Sequence, residues 1–130
     1  MKFISYKHKS ESKFGIIDNN LITDLTGKIL GADTLKELIF KNGISEAKKF
    51  AKANPGNLSV NDVEYLPVIP NPGKIICVGL NYSEHVKETN RTIEENPVIF
   101  HRFPESQTAH MQAIQRPIAS DNLDFEGEMA

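Results

Sequence analysis

The chain has 130 residues, 39% hydrophobic and 25% charged, a composition of ordinary globular proteins rather than of disordered or fibrous ones. No run approaches the roughly 18–20 apolar residues of a membrane span, and Met1–Lys7 alternates apolar with polar residues instead of forming a signal peptide. A net charge of −2 gives no reason to expect nucleic acid, and one cysteine, Cys77, excludes an internal disulfide or a multi-cysteine zinc site. These readings point to one domain or two small units, in the cytoplasm, acting on something small and not on a membrane.

In chain order, Lys2–Lys7 predicts a strand. Phe14–Ile17 and Leu21–Thr23 flank Asp18-Asn19-Asn20, a hairpin signal, because Asn and Asp tolerate the left-handed conformations of tight turns. His8 and Lys9, beside Ser10 and Glu11, read as a loop. Thr34-x-x-Glu37 is a capping-box pattern ahead of an apolar face of Leu35, Leu38 and Ile39, with Gly43 suited to stopping that helix. Ser45 is placed to cap a second helix through Ala53, in which Ala47, Phe50 and Ala51 share a side. Both helices are too short to stand alone and must dock on the sheet.

Leu66–Lys74 carries Pro67, Pro70 and Pro72, so it reads as an extended, semi-rigid connector. The boundary is set here, between an N-terminal α/β region (1–68) and a β-rich region (69–130). Lys74–Gly79 is a continuous apolar run and predicts a buried strand, with Cys77 as a small core residue. A helical turn that Ser83 could cap follows, then a strand from Pro97. Pro117-Ile118 and Leu123–Met129 read as further extended pieces.

Two pairs of residues can carry chemistry. His85 and Glu88, at i, i+3 on a helix, share a face; a carboxylate on one ring nitrogen orients an imidazole and makes the other nitrogen a better base. The plainer reading is a solvated surface pair. Glu126 and Glu128, at i, i+2 on a strand, point to one side about 6.5–7 Å apart at Cα and can share a hard cation. The plainer reading there is a solvated acidic edge.

The order of these pieces decides more than any one. The run Lys74–Glu88, then Pro97–Pro104, Ser106-Gln107 and Leu123–Ala130, resembles the opening of the catalytic domain of the fumarylacetoacetate hydrolase family. Residues 1–68 resemble the small leading region of many bacterial members. The resemblance implies an α+β protein, an N-terminal hairpin and helix region followed by an incomplete catalytic domain. It implies a metal-dependent hydrolase, decarboxylase or isomerase of small β-diketo or 2-oxo acids. His85 and Glu88 then match the catalytic dyad, and Glu126 and Glu128 match two ligands of Mg²⁺ (alternatively Mn²⁺ or Ca²⁺). Arg102 and Ser106 fall where substrate-facing loops occur. Ala109-His110-Met111 stands where a glycine-rich turn is expected. No counterpart follows of the family's third carboxylate ligand or of its substrate-contacting lysine, so the expectation is a truncated chain with little activity alone. A homodimer or a complementing C-terminal chain would be its partner, and the alternative is a non-catalytic remnant or interaction module.

Overall fold

The computed structural model describes residues 1–88 and 96–123, without the side chain of His85. Three strands form an antiparallel meander: β1 (Lys2–His8), β2 (Glu11–Asp18) and β3 (Leu21–Asp24). Asn19 and Asn20, at φ 48° and 63°, make the tight turn that the hairpin signal predicts. Lys9 and Ser10, at φ 50° and 66°, make a second one. The expected loop around His8 is therefore only this two-residue turn: His8 and Glu11 pair across it as strand residues. Positive φ at both central residues matches the right-handed twist of the flanking strands.

Helices α1 (Leu35–Phe40) and α2 (Ile44–Ala53) follow. Thr34 caps α1, its Oγ1 accepting from the Glu37 N–H at 3.2 Å. Glu37 reaches back one residue beyond the expected box and accepts from the Asp33 N–H at 2.9 Å. One of the terminal N–H groups that a helix leaves unpaired, that of Glu37, is thus engaged, and the Asp33 N–H just ahead of the cap is engaged as well. The left-handed residue that ends α1 is Asn42 (φ 55°), not Gly43. Gly43 instead caps α2, and a Cβ there would press on a terminal methyl of Leu38. Ser45, expected as that cap, lies inside the helix.

Short strands β4 (Leu58–Ser59) and β5 (Glu64–Tyr65), separated by a 3₁₀ turn at Val60–Asp62, complete a five-stranded sheet of order β4-β3-β2-β1-β5. Both of its faces are covered. Phe14 and Ile16 pack with Leu25, Ile29 and Ala32 of a loop and with Leu35, Leu38, Ala47 and Ala51 of the two helices, as the short helices require. Ile4, Tyr6 and Ile22 point the other way, under Leu58, Val60, Val63 and Tyr65. Burial on both sides explains why Ser5 is enclosed despite the alternating sequence; its Oγ donates to the Val68 carbonyl at 2.7 Å. A fully buried side chain such as Leu38 contributes roughly 1.5–3 kcal/mol.

Residues 66–74 run without helix or strand, as the prolines dictate. β6 (Ile75–Gly79) pairs antiparallel with β7 (Val98–Arg102), forming a two-stranded ribbon. The expected buried strand is not buried: Ile76 is 66% exposed and Cys77 only half-buried. Its apolar run is the kind that a covered strand uses, but no further strand joins the ribbon among the described residues. Between the two lies α3 (Ser83–Glu88), of which Ser83 is the first helical residue rather than the cap. Pro117 and Ile118 open a turn closed by the Ser120 N–H on the Pro117 carbonyl, not an extended piece. Of Leu123–Met129, residues 124–129 lie outside the described residues. The described chain is α+β, and no helix in it is long and apolar enough to cross a membrane.

Gly56 lies so close to β3 that an added Cβ would overlap the Ile22 carbonyl, whereas one at Gly73 would meet nothing. Gly56→Ala is expected to cost about 2 kcal/mol or more, and Gly73→Ala to change stability by under about 1 kcal/mol. Urea unfolding of the two variants beside the parent measures the contrast.

Candidate functional site

The β6–β7 register sets the geometry. Ile75 faces Arg102 at one end of the ribbon and Gly79 faces Val98 at the other. The chain leaves β6 at the Gly79 end, turns through Leu80 at φ 55°, and enters α3. Val86 is α3's buried anchor, and it lines a cleft of about 130 Å³ with Gly79, Asn81, Pro97 and Val98. This contact is what brings α3, and with it the backbone of His85 and Glu88, to that end of the ribbon. Glu88 is exposed, one turn on from Glu84, whose carboxylate pairs with Lys87 at 2.8 Å.

Arg102 stands at the opposite end, about 13 Å along β7 from Val98 at the usual rise per residue. Its guanidinium lies over the Phe100 ring, 5.2 Å from the centroid, so the charge rests on an aromatic face while staying exposed. Phe103 leads into a 3₁₀ turn, Pro104–Ser106, in which the Ser106 Oγ donates to the Phe103 carbonyl at 2.8 Å. Ser106 is therefore near Arg102 in sequence and at the far end of the ribbon from α3. Glu126 and Glu128 lie outside the described residues. Among the described residues no group of three or more His, Cys, Asp or Glu side chains could hold a metal ion.

A family model described as the C-terminal part of fumarylacetoacetate (FAA) hydrolase matches residues 74–130. These residues belong to the fumarylacetoacetate hydrolase family. Every candidate residue named above lies within the matched stretch. The chain is 34% identical over 90 residues to oxaloacetate tautomerase fahd2, mitochondrial, of Xenopus laevis, covering 69% of this chain and 28% of that protein. It is 32% identical over 87 residues to the human oxaloacetate tautomerase FAHD2A, mitochondrial, covering 67% and 28%. A protein of Archaeoglobus fulgidus without an assigned activity is 40% identical over 68 residues, covering 52% and 27%. The chain thus spans under a third of the length of these relatives.

The family stretch is tied back to the N-terminal sheet by residues that sequence reasoning passed over. Gln112 Nε2 donates to the Tyr65 carbonyl at 3.3 Å, and the His110 ring meets the Tyr65 ring edge-on at 5.0 Å. No local spacing signals a contact between residues 47 positions apart.

A polar cleft of about 520 Å³ opens on the sheet itself, lined by Tyr6, Lys13, Asp24 and Lys28 among others. Burial first, and the Asp24 carboxylate second, push the Tyr6 phenol above its ordinary value of 10.0. The protonated phenol is therefore favoured by folding, so its contribution is complete below about pH 10 and fades as pH rises beyond that value. Stability measured by urea unfolding is expected to fall above pH 10, less steeply in Tyr6→Phe. Equal slopes in both proteins would remove Tyr6 from the cause.

Proposed function

We propose that this chain supplies catalytic residues to a metal-dependent enzyme that isomerises or cleaves small 2-oxo or β-diketo acids. Tautomerisation of a 2-oxo acid such as oxaloacetate is the reaction favoured. The supporting observation is the family match over residues 74–130, together with vertebrate relatives named oxaloacetate tautomerases. On this reading residues 1–68 form the leading region and 69–130 the start of the catalytic one.

The proposed roles follow from the chemistry of the residues. Glu126 and Glu128 offer hard carboxylate oxygens, the donor type that Mg²⁺, Mn²⁺ and Ca²⁺ prefer, with Mg²⁺ the first choice. A bound cation would polarise the oxo-acid oxygens and stabilise enolate charge. His85, with Glu88 assigned to orient its ring, would take the proton from the carbon next to the oxo group and return one to the enolate oxygen. Arg102 and Ser106 would meet the substrate's carboxylate and oxo oxygens, the guanidinium as a two-pronged donor. α3 is short and anchored chiefly by Val86, so this placement of the dyad relies on the ribbon beneath it. A cytoplasmic location belongs to the same reading and rests on the single half-buried thiol; the vertebrate relatives carry the word mitochondrial in their names.

Calorimetric titration with Mg²⁺ and Mn²⁺ is expected to show saturable binding that Glu126→Gln abolishes. No heat at millimolar metal would favour the alternative, a non-catalytic remnant or interaction module with vestigial carboxylates. Where oxaloacetate keto–enol exchange is measurable, His85→Ala is expected to slow turnover by about 10²–10⁴-fold. Unchanged turnover would take His85 out of the mechanism.

A further inference from the structure

Residues 105–115 curl around a space of about 820 Å³, with Ser106, Gln107, Gln112 and Gln115 on its inner side. Two features fix one limb of this loop. The first is internal: the Gln112 N–H donates to the Ala109 carbonyl at 3.1 Å, Gln112 Oε1 accepts from the Ala109 N–H at 3.2 Å, and Met111 takes the left-handed conformation. The second is external: Gln112 Nε2 reaches the Tyr65 carbonyl, His110 sets its ring against that of Tyr65, and Ala109 is buried. One amide side chain thus closes the turn with its oxygen and holds the sheet with its nitrogen.

The attachment is narrow. A cleft of about 370 Å³ separates Thr108–His110 from Phe3, Ile17, Pro67 and Val68. The loop meets the sheet at a few points instead of packing along it, and a segment held this way opens at low free energy when one point is lost.

We propose that Gln112, assisted by His110, is a positioning residue: it straps the loop carrying Ser106 onto β5, so that the N-terminal sheet fixes where this loop stands. The functional consequence rests on the reading of Ser106 as substrate-facing, while the strap itself stands on the contacts alone. The N-terminal region is then more than a leader, since its Tyr65 backbone determines the reach of a loop in the family stretch.

Hydrogen exchange followed by mass spectrometry on the 130-residue chain tests this without substrate, so its outcome is separate from that of the catalytic reading. Amides of residues 105–115 are expected to exchange about three- to tenfold faster in Gln112→Ala, and faster still with His110→Ala added, while the β1–β2 hairpin is unchanged. Gln112→Glu keeps an acceptor for Ala109 and loses the donor to Tyr65, so it should behave like Gln112→Ala. Gln112→Arg restores a donor and should return exchange towards the parent, and Gln115→Ala should have no effect. Unchanged exchange in the double variant, parent-like exchange in Gln112→Glu, or an equal rise over the hairpin would each overturn the strap.

Discussion

In an antiparallel pair each residue has one partner, so a single register places everything attached to either strand. Here Ile75 opposite Arg102 and Gly79 opposite Val98 is that constraint. It puts α3 at one end of the ribbon and Arg102, with Ser106 beyond it, at the other. A slip of β7 by one residue would turn Ile99 and His101 to the face opposite Ile76 and Val78, and would carry α3 off its Val86 anchor. Among the described residues, the placement of α3 and Arg102 thus follows from backbone hydrogen bonds between two short strands.

The two parts of the chain divide apolar surface unequally. The N-terminal sheet buries both faces and is stabilised by side chains from the helices, the Leu25–Ala32 loop and the β4–β5 connection. The β6–β7 ribbon presents Ile76 and Ile99 at 66% and 56% exposure, and Phe103 just beyond it is 70% exposed. Two strands alone are marginal in water. The ribbon's order must then draw on its neighbours, and the N-terminal sheet with its helix α1 is the neighbour shown: Ser5 holds Val68, Lys36 holds Asn71, and Gln112 holds Tyr65. Each tether is a polar contact to a backbone carbonyl, which fixes position without demanding a particular partner side chain.

Much of this was legible wherever the determining chemistry is local. Asn19-Asn20 forms its turn because those side chains accept positive φ, and Thr34 caps α1 because its hydroxyl reaches an N–H three residues on. Ala47 and Ala51 face the core because four residues make about one turn. Ser45 misled because Gly43 takes the cap position and the helix starts two residues earlier, at Ile44. The apolar run at 75–79 correctly signalled a strand but not its environment, since hydrophobicity states what a segment tolerates and not what covers it. Gln112 was invisible for a different reason: its partner is a carbonyl, a group every residue carries, so sequence holds no complementary letter. The described residues do not reach Glu126 and Glu128, and the family match rather than geometry speaks for them.

The family stretch and the N-terminal sheet are consequently not independent in this chain. Val86 secures α3 to one end of the ribbon, while the loop after the other end is secured through Gln112 to β5. Side chains on such short elements keep a fixed mutual placement only if a stiffer element holds both ends. The sheet is the element with a two-sided core, hence the stiffest reference available to them. A sheet with a two-sided core that carries no candidate residue, joined by polar tethers to the stretch after it, separates folding from the placement of that stretch. Substitutions in the sheet's core would act on folding, and those at the tethers on where the described part of the family stretch stands.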